Sequence, residues 1–556
     1  VRKRELTGTE IDDTAWTLIE PDSYWGGWNI NFTLRGSFTV PADWAGHGPV
    51  ALELNLGETP GWDFAHPESL IHIDGKSLAA GDLNHTVIHI PEEYHDGQPH
   101  RLTLPGYTGR WWVYDHVPKT KLFMGTNSVV QIDQPTQDFI ATARIALESA
   151  QRLPDESTAK AHIIHALDMA FRQLDTTSPL GEAFYASVES AHTALKEGLN
   201  EAGQPLDVTV HAIGHSHIDV AWLWTLAQTR LKCGRTFHTT LALMDEFDHY
   251  TFTQSQPQLY DYVRQDYPEL FARIQEKVEQ GRWEILGGMW IEADCNLSGA
   301  ESLARQFLLG RRFYAEHFGP EAESPVLWLP DVFGYCANLP QLIKQAGLEY
   351  FFTTKLSWNQ YNKMPHDTFE WQGLDGTRVL THLATTRDAV EKHNSTYTGL
   401  NTPNQIYNTW VTAETKGLHT DLMTCYGYSD GGGGPTREML ENIRELESFP
   451  GMPKVKASKA IDFFKALESN VEGKLPVWNG ELYLEYHRGT YTSQAKNKCS
   501  NRRSEFGLHD AEFLNVLAAL LDPDHAYPQE KLNRAWELVC LNQFHDIIPG
   551  LSLIHI

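Results

Sequence analysis

The chain has 556 residues, enough for about three or four domains, and its 41% hydrophobic and 11% aromatic content is that of a folded globular protein, not a disordered one. A formal net charge of −27 excludes nucleic acid and anionic membranes as main partners, since both would repel such a surface, and leaves a neutral or cationic ligand. Six cysteines (Cys233, Cys295, Cys336, Cys425, Cys499, Cys540) without a Cys-x-x-Cys pair argue against a disulfide framework or a thiolate zinc cluster, so a reducing, cytoplasmic location is expected. There is no run of about 18 apolar residues, and Val1 to Leu6 is not followed by the apolar stretch of a secretory leader.

Residues 1–130 carry short alternating stretches such as Gly36 to Val40 and Ala51 to Leu56, divided by Gly, Pro, Asp and Asn, which predicts a β-rich accessory domain. Over 131–206 the spacing becomes helical, with Ile140, Ala143, Ile145 and Ala146 and then Ile164, Leu167, Ala170 and Phe171 on apolar stripes, as in a helical connector. Between 207 and 470 apolar runs (Val208 to Gly214, Trp283 to Gly287, Val326 to Leu329, Tyr350 to Thr354, Val379 to Leu383, Leu422 to Tyr426) alternate with helical stretches such as Leu259 to Gln280 and Glu301 to Phe318. That alternation predicts a central α/β domain built on a parallel sheet. Residues 481–550 again read as helical and bundle-like, and Leu551 to Ile556 breaks from the preceding pattern and is expected to be a non-native tail.

In a parallel α/β sheet the active site lies beyond the carboxyl ends of the strands. The residues just after each run are His215, His217 and Asp219; Glu292 and Asp294; Asp331; Lys355 and Trp358; and Tyr428 and Asp430. Successive side chains of an extended segment alternate faces, so His217 and Asp219 project to one side and can share a cation. Zinc accepts such a pair, at about 2.0 to 2.2 Å from imidazole nitrogen and carboxylate oxygen. A His-x-Asp pair is equally a pattern of ordinary hydrogen-bonded structural histidines. The Gly431-Gly432-Gly433-Gly434-Pro435 stretch permits close backbone approach but lacks the Gly-Lys-Ser/Thr of a phosphate loop.

Five ordered strings, Gly214-His-Ser-His-Ile-Asp-Val-Ala-Trp222, Gly287-Gly-Met-Trp-Ile-Glu-Ala-Asp-Cys-Asn296, Trp328-Leu-Pro-Asp-Val-Phe-Gly334, Gly427-Tyr-Ser-Asp-Gly-Gly-Gly-Gly-Pro435 and Asn542-Gln-Phe-His-Asp546, closely resemble glycoside hydrolase family 38, the zinc-dependent retaining α-mannosidases. The form His-x-His-Ile-Asp followed by Ala-Trp-Leu-Trp is similar to the cytosolic, vacuolar and bacterial branch. The resemblance implies a seven-stranded barrel-like catalytic domain, a helical-bundle domain and a C-terminal β region that this chain lacks. It implies one zinc ion, with cobalt as the alternative, held by His217, Asp219, Asp294 and His545. It also makes Asp294 the nucleophile, Asp331 the general acid/base and Trp222 an aromatic floor beneath the sugar. Tyr428 and Asp430 are expected to contact sugar hydroxyls, His215 to orient a ligand, and Glu485 and His487 either to line the pocket or to serve structure.

Without the resemblance, Asp294 reads as a turn residue before Asn296, Asp331 as a helix cap and His545 as a surface histidine; the resemblance favours the functional roles. Retaining hydrolysis needs two carboxyl groups about 5 to 5.5 Å apart, and the one that donates must keep its proton, for which Phe333 could supply an apolar setting beside Asp331. The partner implied is a mannose-containing oligosaccharide, with homo-oligomer formation left open. Two other classes fit part of the pattern: a zinc amidase or deacetylase, which would need no second carboxylate, and a sugar-binding homologue without turnover.

Overall fold

The computed structural model describes residues 12–57, 66–109, 122–389, 394–471 and 473–552. The chain divides into two compact units, one of Val1–Gln204, Gly234–Asp248 and Thr436–Glu445, the other of Pro205–Cys233, His249–Pro435 and Leu446–Ile556.

The first unit opens with antiparallel sheets. A four-stranded sheet runs in the order Asn31–Thr39, Pro99–Tyr107, Glu68–Ile73, Lys76–Gly81, and a three-stranded one in the order Val87–His89, Val50–Glu53, Ser128–Gln131. Alternation along these strands sends Val50, Leu52, Ile71, Ile73, Ile88 and Leu104 into one core. Helices Gln134–Arg152 and Thr158–Phe171 start where Asp133 and Ser157 accept the backbone N–H groups of Thr136 and Lys160, satisfying donors the first turn leaves unpaired. A third helix, Glu182–Glu201, completes this part.

In the second unit all six apolar runs are strands. One sheet has the order Trp283–Ile285, Phe252–Gln254, Leu206–His215, Asp421–Tyr426, with Pro453–Ala457 also pairing with Leu206–His215, and every pair in it is parallel. A second five-stranded sheet has the order Val326–Trp328, Tyr350–Thr353, Arg378–Leu383, Thr368–Gln372, Val477–Asn479 and contains one antiparallel pair, Thr368–Gln372 with Arg378–Leu383. The strands thus fall into two five-stranded sheets, and the edge strands Trp283–Ile285 and Val326–Trp328 are joined by the bridge Ile285–Glu323 and by the Gly287 N–H donating to the Val326 carbonyl at 3.0 Å. Apolar runs show where strands lie but not which strand each will pair with.

Helix Ala460–Val471 packs Phe463, Phe464, Leu467 and Val471 against Ile213, Trp328, Phe352 and Met423. The helical stretch expected over 259–280 is two helices, Pro257–Asp266 and Pro268–Glu279, because Pro268 has no N–H and restricts Tyr267 before it. The later helices are Ala495–Leu521 and Gln529–Asn542, followed by a turn in which the N–H groups of Leu551 and Ser552 donate to the Asp546 carbonyl at 2.9 and 3.0 Å. The expected tail from 553 onward, and the stretch from Val1 to Leu6, lie outside the described residues. No described helix is long and apolar enough to cross a membrane.

Candidate metal centre

The second unit gathers its chemistry at the carboxyl ends of its strands, as a parallel sheet dictates. Strand Leu206–His215 is paired along both edges, and the chain leaving it carries His217 and Asp219. The glycine loop docks beside them, with the Asp219 N–H donating to the Asp430 carbonyl at 2.9 Å and Ile218 bridging to Asp430 and Gly431. That approach requires glycine at Gly427, which has φ +127 and where a Cβ would stand 2.2 Å from the His215 carbonyl oxygen.

Four buried side chains converge here. One ligand atom from each of His217, Asp219, Asp331 and His545 lies within 4.8 Å of the others. His217 Nε2 is 2.9 Å from Asp219 Oδ1, and His545 Nε2 is 3.5 Å from the same oxygen and 3.8 Å from Asp331 Oδ2. Both imidazoles are held from behind by one residue. Glu292 Oε2 is 3.0 Å from His217 Nδ1, and the Glu292 carbonyl is 2.8 Å from His545 Nδ1, which leaves each Nε2 facing the cluster. Metal-bound histidines are commonly oriented by such a carboxylate or carbonyl. His545 Nε2 is fully buried with no hydrogen-bond partner, which is costly unless something else occupies that lone pair.

The charges point the same way. Burial raises the Asp219 carboxyl, but the hydrogen bond from His217 and the charges of His217 and His545 outweigh it and bring the group down to about 2. Burial opposes a charged His217, yet Glu292 and Asp219 lift it well above its ordinary value. Asp430 is partly exposed; loss of hydration and the charges of Asp219 and Asp331 push its carboxyl up to about 7, and the Tyr397 hydroxyl donates to its Oδ1 at 2.8 Å. Asp546 is buried, and desolvation with the same two carboxylates raises it well above the carboxylate range. A divalent cation among His217, Asp219, Asp331 and His545 would relieve this excess of buried negative charge, and the donor set of imidazole nitrogen and carboxylate oxygen suits zinc.

Three of the four expected ligands, His217, Asp219 and His545, thus come together with Asp331, and Asp294 is not in that cluster. Asp294 is buried, but its Oδ1 accepts the N–H groups of Asn296 at 2.9 Å and Leu297 at 2.6 Å, the geometry of a side-chain-capped turn. Burial raises its carboxyl despite those two bonds. The setting of Asp331 also differs from the apolar one expected for a proton donor. It is ion-paired with buried Lys355, whose Nζ lies 5.3 Å from the Phe333 ring centroid and 4.4 Å from that of Trp358.

His215 stays behind the cluster: its Nδ1 is 2.8 Å from the Thr253 carbonyl, the Trp328 indole N–H donates to its Nε2 at 3.3 Å, and burial pushes it down to about 4. Trp222 is partly buried, edge-on to Trp224 at 5.8 Å, and the Trp224 indole donates to the Asp219 carbonyl at 2.9 Å. Tyr428 is partly exposed and exchanges two backbone hydrogen bonds with Gly434, closing the glycine loop. Glu485 serves structure, accepting the N–H groups of Gln360, Tyr361 and Asn362, whereas His487 packs edge-on against Phe333 at 4.6 Å. Sequence reasoning placed Glu292 and Lys355 on the rim without a role and gave Asp546 none, although it sits in the Asn542 to Asp546 string. Tyr397 carried no motif signal.

The profile of the glycosyl hydrolases family 38 N-terminal domain matches residues 207–481, and that of the alpha mannosidase middle domain matches residues 485–556. The chain belongs to glycosyl hydrolase family 38. This family 38 chain is 40% identical over 403 residues to Alpha-mannosidase G of Dictyostelium discoideum, covering 72% of this chain and 35% of that protein. It is 42% identical over 351 residues to an alpha-mannosidase of Saccharomyces cerevisiae, covering 61% of this chain and 32% of the yeast protein. It therefore spans about a third of the length of these curated relatives. A solved alpha-mannosidase from Enterococcus faecalis V583 shares the fold, with a TM-score of 0.52 at 21% identity over 62% of this chain and 39% of that one.

Proposed function

We propose that this chain carries the active site of a zinc-dependent retaining α-mannosidase acting on terminal α-mannosides of oligosaccharides. The observation that carries the reading is the buried quartet His217, Asp219, Asp331 and His545 in a family 38 chain, with His545 Nε2 facing it unpartnered. Zinc, or cobalt in its place, would be held by those four side chains. When bound, such an ion orients sugar hydroxyls and offsets charge that develops in the transition state.

On this reading the two carboxyl roles differ from those the resemblance implies. Asp331, in the quartet and charge-paired with Lys355, is the nucleophile; Asp294, tied into its own turn, is a structural residue. Asp430 is the general acid/base: it stands near enough to feel the Asp331 charge, is partly open to solvent, and has one oxygen engaged by Tyr397. In the first step an Asp331 oxygen attacks the anomeric carbon while Asp430 protonates the departing glycosidic oxygen, giving a mannosyl ester on Asp331. In the second, Asp430 takes a proton from water, which displaces Asp331 and releases mannose with retained configuration. Trp222 offers a flat apolar face for sugar C–H groups, and Tyr428 a hydroxyl at the loop that carries Asp430. The six free cysteines favour a reducing compartment such as the cytosol.

An aryl α-mannoside is the direct test. The 556-residue chain is expected to release the phenol and, as the first sugar anomer detected by NMR, α-mannose. A chelator should abolish turnover and added Zn²⁺ restore it. Turnover indifferent to chelation, or β-mannose as the first product, would contradict the proposal.

A further inference from the structure

Two short segments face each other behind the quartet: 291–294, which supplies Glu292, and 543–545, which supplies His545. Their direct contact is slight. The Asp294 N–H donates to the Gln543 carbonyl at 2.9 Å, the His545 N–H to the Glu292 carbonyl at 3.3 Å, and Ala293 and Phe544 form one antiparallel bridge. With the His545 Nδ1 contact to the same Glu292 carbonyl at 2.8 Å, three hydrogen bonds join the segments, and by themselves they do not fix the end of a helix against a loop to the tolerance that metal ligands require.

A run of fully buried side chains supplies the rest. Gln306, on helix Ala300–Phe318, accepts the Ile291 N–H with its Oε1 at 3.3 Å and the Trp290 N–H with its carbonyl at 2.9 Å. Its Nε2 donates to the Cys540 carbonyl at 2.9 Å and to Gln543 Oε1 at 3.3 Å. Gln543 Nε2 in turn donates to Glu505 Oε1 and Asn501 Oδ1, both at 3.0 Å. Glu505 Oε1 also accepts the Gly299 N–H at 2.9 Å and the Ser302 hydroxyl at 2.8 Å, anchoring the network to the start of the helix that carries Gln306. Gln306 and Gln543 are 0% exposed and Glu505 is 4% exposed, so each amide has one orientation that satisfies its neighbours, and rotating either strands a buried donor.

We infer that Gln306, Gln543 and Glu505 form a buried clamp that positions the metal centre, setting His545 Nε2 and, through Glu292, His217 Nε2 at ligating distance. The inference rests on the metal-centre reading above. Both ends of the clamp reach ligands through one residue, since Glu292 holds His217 Nδ1 by its carboxylate and His545 Nδ1 by its carbonyl. None of the three clamp residues belongs to the quartet; they are positioning residues.

The test is a Zn²⁺ titration of the purified 556-residue chain against a competing fluorescent chelator, alongside its thermal unfolding midpoint. Gln543→Glu replaces the amide donor with a carboxylate facing Glu505 and is expected to weaken zinc binding by about 10- to 100-fold, the loss typical when a ligand's outer partner is removed. Adding Glu505→Gln exchanges donor and acceptor and should restore affinity to within about threefold of the unsubstituted chain. Glu284→Gln is the control for lost stability. Glu284 is a buried carboxylate that accepts the Ala460 and Ile461 N–H groups and the Thr253 and Ser324 hydroxyls, so its substitution should lower the midpoint and leave zinc affinity unchanged. If Gln543→Glu does not fold, Gln543→Met takes its place with the same expectation. Unchanged zinc affinity in the Gln543 variant, or an equal loss in Glu284→Gln, would overturn the clamp while leaving the metal centre standing. No zinc binding by the unsubstituted chain would overturn the metal centre, and the clamp with it.

Discussion

Replacement of Asp331 by asparagine is expected to lower kcat on an aryl α-mannoside by about 10⁴-fold or more, the order of loss that follows removal of a catalytic nucleophile. Asparagine keeps the size of the side chain but gives up the charge that attacks the anomeric carbon and complements Lys355. The informative comparison is Asp294→Asn. An amide oxygen at 294 can still accept the Asn296 and Leu297 N–H groups, so a residue whose role is to cap that turn should tolerate the change, and kcat should stay within about threefold of the unsubstituted chain. Steady-state rates of both variants, with zinc content measured on the same samples, decide the assignment. A collapse in Asp294→Asn with Asp331→Asn nearly unaffected would reverse it.

Asp430→Asn should show the behaviour of a missing proton donor. With a simple alkyl α-mannoside, whose leaving oxygen needs protonation, kcat/KM should fall by about 10²- to 10⁴-fold. With a dinitrophenyl α-mannoside, whose leaving group departs unassisted, the first step should be almost unchanged and the ester on Asp331 should accumulate, seen as a burst of phenol followed by slow turnover. The Tyr397 hydroxyl, which donates to Asp430 Oδ1, ties that carboxyl to a fixed orientation. Equal losses on both substrates would remove Asp430 from the proton-transfer role.

The sequence carried much of this site because a parallel sheet concentrates function at strand ends. The six apolar runs are all strands, and the alternation of an extended segment is enough to bring His217 and Asp219 to one buried cluster that could hold a cation. The choice between Asp294 and Asp331 was harder because both follow strands. Asp331 comes three residues after strand Val326–Trp328 and stays at the rim, whereas Asp294 comes nine residues after strand Trp283–Ile285, far enough for the loop to turn its carboxyl into its own backbone. The spacing Asp294-Cys-Asn296 admits such a turn.

Other features were invisible for a physical reason. Glu292 matters through contacts with His217, 75 positions earlier, and His545, 253 positions later, and no local pattern encodes either. Tyr397 lies in a loop with no periodicity to mark it. The two-sheet arrangement was equally hidden, since strand order is decided by non-local pairings such as Val477–Asn479 with Thr368–Gln372. Asp546 stood inside a recognised string, yet its strongly raised carboxyl arises only from its burial beside Asp219 and Asp331.

The most direct test of the account is to trap the ester and find the residue that bears it. A fluorinated mannosyl donor with a good leaving group forms the intermediate faster than it is hydrolysed, and peptide mapping by mass spectrometry then locates the added sugar. The label is expected on the peptide containing Asp331, in zinc-loaded protein, and to be lost after chelation. A label on the peptide containing Asp294, or none in zinc-loaded protein, would contradict the account.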